Sequence, residues 1–216
     1  MGFRARSLAL LAVATVALGG CTAVSDPASS APPTATGTPP ASVAPSPTVS
    51  ATPTPTTTPT RVTASVPASC EALLPIAVVS ETEGEAWYDS GEPVDAVSSL
   101  PGPSAREAAA AAEQTLACRW WPERATENYL LGYAFELDAA TRGALVDDLD
   151  GAASYSAVDI EGAEAAFSVS DVGGEIAENT LYAFVGDVWI VFIAPATPIV
   201  LSVFAEHAVE AAIAAG

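Results

Sequence analysis

The chain has 216 residues, with 26 Asp and Glu against 7 Arg and Lys, a formal net charge of −19 and 50% hydrophobic residues. Such an acidic surface repels nucleic acid, so none is expected as a partner. The length accommodates one domain with a sizeable core in addition to leading and linking segments.

Arg4 and Arg6 are the only charged side chains in the first 25 residues, and the 11 residues from Leu8 to Leu18 are apolar apart from Thr15. A basic start followed by an apolar run too short to span a bilayer, which needs roughly 20 residues, is the pattern of an export signal. The run ends in Leu18-Gly19-Gly20-Cys21. That tetrapeptide resembles the lipobox of bacterial lipoproteins. The resemblance implies cleavage before Cys21 and a diacylglycerol on its sulfur, which would anchor the chain at the outer face of the cell membrane. Myristoylation of Gly2 is not supported, because position 6 is Arg6. No later stretch is read as a membrane span.

Residues 22 to 69 are rich in Pro, Thr, Ser and Ala, contain no aromatic residue, and carry only Asp26 and Arg61 as charges. Such a segment buries too little apolar surface to offset its ordering entropy, so a disordered linker is expected. The expected organisation is a signal peptide over 1–20, lipidated Cys21 with the linker over 21–68, and one globular domain over 69–216.

The domain holds all four Trp, all five Tyr and five of the six Phe. From Cys70 onward, 25 acidic residues face four arginines, a net charge of about −21. With Cys21 assigned to lipid, Cys70 and Cys118 remain. An oxidising compartment makes a disulfide between them the expectation. A zinc site needs about four ligands and the chain has one His, and the spacing is not that of a CxxC redox pair.

In chain order, Ser69 is expected to cap a first helix through Glu71, Ala72, Leu73 and Leu74, with Pro75 near its first turns. Residues 81 to 103 are expected to form a long loop. Ser104 to Glu107 reads as a capping box ahead of an alanine-rich helix reaching Leu116, which delivers Cys118 into a strand ending at Trp121. Tyr129 to Leu137 alternates with period two and has one bulky face. Asp138 caps a helix in which Leu145 and Leu149 share a face. Strands are expected near 156–161 and 164–170, with a turn at Gly173-Gly174. Leu181–Val185 and Val188–Ala194 form a hairpin around Gly186-Asp187. Thr197 and Pro198 start a final helix reaching about Ala214. The fold class is α+β: a largely antiparallel sheet covered by helices and tied by one disulfide.

The lipobox, the Pro/Thr tract, Cys70-Glu71-Ala72-Leu73-Leu74-Pro75, Cys118-Arg119-Trp120 and the Gly162 to Phe167 stretch together resemble the small secreted lipoproteins of actinobacteria. The resemblance implies a compact, disulfide-tied α+β domain and carries over no catalytic residue.

Candidate chemistry is sparse. His207 is the only histidine and falls within the last helix, and no Gly-x-Ser-x-Gly occurs, so no catalytic residue is expected. Asp147, Asp148 and Asp150 do not fit a calcium loop, because Val146 and Ala157 occupy key ligand positions. No metal or cofactor is expected. Aromatic residues are the more promising group. Trp120 and Trp121 are neighbours on a strand and must face opposite sides, and Trp87 and Tyr88 lie in the acidic loop. Trp87, Tyr88 and Trp121 are therefore the candidate ligand-binding residues, set against a purely structural role. The expected function is a non-enzymatic binding or sensor-like module for an envelope protein, a glycan or a hydrophobic small molecule. The alternative is a lipid carrier, motivated by the all-apolar strand Val188 to Ile193; a wall hydrolase is the third choice.

Overall fold

A computed structural model describes residues 62–124, 127–171 and 177–216. Cys21, the export signal, most of the linker and the expected turn at Gly173-Gly174 lie outside the described residues.

Ser69 caps α1 (Cys70–Leu73), its hydroxyl accepting from the Ala72 amide at 3.1 Å. Pro75 cannot continue that helix and instead leads into α2 (Ile76–Glu83), which Gly84 ends at φ 72°. The expected single helix is thus two short ones. The expected loop also contains a short strand, β1 (Trp87–Asp89). Helix α3 (Pro103–Ala110) starts one residue before the expected cap: Gly102 is the N-cap and Pro103 the first helical residue. Ser104 lies inside the helix, so the capping box does not form. The alanine run also stops early. Strand β2 begins at Gln114 rather than Cys118 and extends to Pro122. There Gln114 and Thr115 pair with Glu136 and Phe135, and sheet pairing overrides helix propensity.

The rest follows the expected order: β3 (Leu130–Glu136), α4 (Ala139–Gly151), β4 (Ser156–Ala157), β5 (Ala165–Asp171), β6 (Glu178–Val185), β7 (Val188–Ala194) and α5 (Pro198–Ala215). Asp138 caps α4, accepting from the Ala140 and Thr141 amides at 2.8 and 3.0 Å. Strand β4 is much shorter than expected. The chain leaves the sheet and turns at Gly162, φ 81°.

The seven strands form one sheet in the order β1-β2-β3-β7-β6-β5-β4, and every neighbouring pair is antiparallel. Two meanders meet where β3 lies beside β7. One face packs on α1, α2 and α5 through Trp120, Phe192 and Phe204. The other packs on α3, α4 and the 94–100 loop through Tyr133, Phe135 and Trp189. The architecture is α+β with a two-faced core, closed by the Cys70–Cys118 disulfide between α1 and β2. By length and mean hydropathy (1.5 over 18 residues), α5 is apolar enough to cross a membrane, contrary to the sequence reading. Here it covers the sheet with Leu201, Phe204, Ala205, Ala208, Val209 and Ala212 buried.

Residues 62–68, assigned by composition to the linker, lie against the domain. The Ser65 amide donates to the Ala212 carbonyl at 3.0 Å, and Val66 is buried. A Cβ on Gly186 would lie 2.7 Å from the Val62 carbonyl oxygen. The segment therefore meets the domain beside the β6–β7 turn.

Strand β3 has the one bulky face expected, and its small face is buried as well. Its small face is what admits Trp120 and Phe192. A Cβ on Gly132 would lie 2.6 Å from the Trp120 ring and 2.9 Å from the Phe192 ring. Gly132→Ala is therefore expected to cost about 1–3 kcal/mol by overpacking. In thermal unfolding, that is a midpoint lowered by several degrees for a domain of this size. An unchanged midpoint would mean that the two rings yield freely.

Candidate functional site

Strand β1 settles the fate of the candidate aromatics. Adjacent strand residues face opposite sides. Trp87 turns toward α2 and is 6% exposed, with its backbone amide donating to the Ser80 hydroxyl at 3.1 Å. It is a core residue and is not available to a ligand. Tyr88 turns the other way and is 48% exposed. Its partner in the β1–β2 register is Trp121, so the two side chains share one face. Trp120 points to the opposite core and is fully buried. The sheet thus brings together two of the three candidates and removes Trp87.

Three further residues join Tyr88 and Trp121. Tyr129 meets Trp121 edge to face, with ring centroids 6.1 Å apart. Arg119, two residues before Trp121 and so on the same face, lies over the indole at 5.9 Å from the ring centroid. Its guanidinium also donates to Glu92 at 3.4 Å. That pair is solvent-exposed and contributes at most about 1 kcal/mol. Leu131 pairs with Ile193 of β7 and with Arg119, which places an aliphatic floor beside the rings. The result is an open hollow of about 330 Å³ with Ser99 and Glu178 on its rim. The helices α3 and α4 cover the rest of this face but not this end.

Sequence reasoning missed Arg119, Tyr129 and Leu131. The signal was present: Arg119 and Trp121 share strand parity, as do Tyr129 and Leu131. What could not be read was that β2 and β3 align these pairs side by side. Ser99 and Glu178 carry no local signal; the tertiary fold alone brings them there.

Beneath the hollow the core is filled. Tyr133, one step along β3 on the same face, is fully buried, and burial raises its hydroxyl above the usual tyrosine range. Strand β7 is buried on both sides: Val188, Ile190, Phe192 and Ala194 enter one core, Trp189, Val191 and Ile193 the other. Its all-apolar sequence is accounted for by a central strand between two layers.

The other sequence candidates are dispersed. His207 is exposed on α5 beside a hollow of about 430 Å³ rimmed by Glu161, Glu206 and Glu210. That hollow is the larger of the two, and no Ser, Thr or Cys lines it beside His207. Asp147, Asp148 and Asp150 are exposed on α4. Among the described residues no group of three or more His, Cys, Asp or Glu is arranged to hold a metal ion. Compared with protein families, curated proteins and solved structures, the chain has no match.

Proposed function

We propose that this chain is a lipid-anchored cell-envelope protein whose domain is a non-enzymatic binding or sensor-like module acting through the Tyr88–Trp121–Tyr129–Arg119 surface. The observation that carries this reading is the clustering of three accessible aromatic rings and an arginine on a sheet face that no helix covers. Trp, Tyr and Arg are the residue types that dominate binding energy where they cluster. Elsewhere the sheet's large aromatics are buried, so this end is where the domain leaves such surface open to a partner.

The anchor at Cys21 rests on the lipobox-like sequence, and its place is the outer face of the cell membrane. The N-terminal segment meets the domain beside Gly186, whereas the hollow lies near Ile193, about 17 Å further along β7 from Val188 at ~3.4 Å per residue. The chain therefore enters at one end of the sheet and the aromatic surface lies toward the other.

The test compares the native protein with Trp121→Ala and Arg119→Ala for retention on isolated envelope of the source bacterium. Each variant is expected to unfold at nearly the native temperature and to bind at least about tenfold more weakly, the scale of losing one interface hot spot. Native-like retention by both variants would sink the proposal. Loss of the membrane-associated form on Cys21→Ala tests the anchor separately.

A further inference from the structure

We propose that the ligand of the aromatic hollow is a neutral pyranose saccharide; the inference rests on the binding role proposed above and names the class of ligand. Three features of the hollow decide between chemistries.

The first is charge. An anion meets Arg119, but also Glu92 at 3.4 Å from that arginine, Glu178 on the rim, and a domain that carries about 21 net negative charges. Arg119 is thus one positive charge among carboxylates, which disfavours acidic sugars and phosphate groups. A cation fares no better. The Arg119 guanidinium, 5.9 Å from the Trp121 ring centroid, puts a like charge beside the aromatic surface on which a cation would rest. A neutral ligand is what remains.

The second is the mixture of surfaces. The rings of Trp121 and Tyr129 and the side chains of Leu131 and Ile193 offer apolar area, while Arg119 donates, Glu178 accepts and the Ser99 hydroxyl does both. A pyranose has the matching pair of surfaces. Its axial C–H face is weakly positive and apolar and lies against the negative face of an aromatic ring. Its hydroxyls donate and accept at the rim. A purely apolar ligand would leave the rim's polar groups unmatched, at a cost in desolvation.

The third is the state of the nearby sheet edge. An extended peptide would bind by adding a strand to β1. The outward-facing amide of Trp87 is already taken by the Ser80 hydroxyl, and β1 has only three residues. Strand addition is blunted there, while the hollow on the face stays open.

The readout is built into the protein. Of the four tryptophans, Trp87, Trp120 and Trp189 are 6%, 0% and 0% exposed, so a ligand in the hollow perturbs the emission of Trp121. The full chain is titrated with neutral oligomers of glucose, mannose, galactose and N-acetylglucosamine, with a glucuronate oligomer and tetramethylammonium as charged comparators. At least one neutral oligomer is expected to give a saturable change in emission, with both comparators at least tenfold weaker. Arg119→Gln is expected to weaken that binding about tenfold, by loss of a charged hydrogen-bond donor. Tyr129→Ala should weaken it by a similar factor through loss of a stacking ring. Saturation by a charged comparator at equal or lower concentration overturns the assignment, as does the absence of a saturable response to every neutral oligomer. The envelope assay separates the two levels of the argument. Retention that Trp121→Ala abolishes but neutral oligomers do not compete overturns the saccharide alone. Retention unaffected by Trp121→Ala overturns the binding surface itself.

Discussion

Reducing the Cys70–Cys118 disulfide is expected to lower the unfolding free energy of the domain by about 4 kcal/mol in the chain-entropy description of a closed loop this long. The two cysteines are 48 residues apart, and the bond ties α1 to the middle of β2. Helix α1 has one turn and cannot hold its shape alone. Yet it delivers Leu73 and Leu74, both fully buried, to the core beneath α5. Freed from β2, that turn can leave together with the segment leading to β1, and the loss then spreads to Trp87. Urea unfolding with and without reductant measures the effect. The oxidised midpoint should be higher, and the double variant Cys70→Ala/Cys118→Ala should fall with the reduced protein and ignore reductant. Equal midpoints for oxidised and reduced protein would falsify a stabilising role for the bond.

The sheet and its disulfide were legible because their signals are local or countable. The period-two run of β3 and the apolar runs of β6 and β7 on either side of Gly186-Asp187 need no tertiary information, and the two cysteines within the domain have one partner each. Thr197-Pro198 and Gly186-Asp187 likewise mark their boundaries by backbone chemistry. The failures have a different physical origin. Pro75 suits the first turn of a helix, so the sequence does not show that it stops α1 and opens α2. The alanines after Arg106 are good helix formers, but the hydrogen-bond pairing of Gln114 with Glu136 holds the chain extended just beyond them. The alternation in β3 identifies its bulky face but not what packs on the other, where Gly132 leaves room for Trp120 and Phe192. The same limit applies to the candidate site. Once residues 81 to 103 were taken as a loop, strand parity could not be applied to Trp87 and Tyr88. That parity is what sends one into the core and leaves the other on the surface. Tyr88 and Trp121 could be suspected singly; their shared face depends on a register between β1 and β2 that no local pattern encodes.

Alkaline pH should unfold this domain through two tyrosines. Tyr182 and Tyr133 are fully buried, and burial raises both hydroxyls above the ordinary tyrosine value, Tyr182 by far the more. For Tyr182 the neighbouring Tyr155, with ring centroids 5.8 Å apart, adds to the effect. The sign follows from which state gives up its proton first. Below about pH 10 the folded and unfolded chains both carry these protons, and the stability is fully present. Above that pH the unfolded chain releases them while the folded chain keeps them, so stability falls as pH rises toward the folded values. A tyrosine that keeps its proton in the folded state contributes a slope of about 1.4 kcal/mol per pH unit. At a pH one and a half units above 10, Tyr182 alone thus removes about 2 kcal/mol, and Tyr133 acts in the same direction. The window is unusually clean because the chain contains no lysine to titrate alongside them. Phenolate absorbance and far-ultraviolet circular dichroism, followed together along a pH titration, should show a late phenolate step that coincides with loss of secondary structure. The Tyr133→Phe/Tyr182→Phe variant keeps both rings in the core on the α3–α4 side of the sheet and removes the titrating groups. Its unfolding midpoint should move to higher pH, and a midpoint that stays put would show that other groups drive the transition.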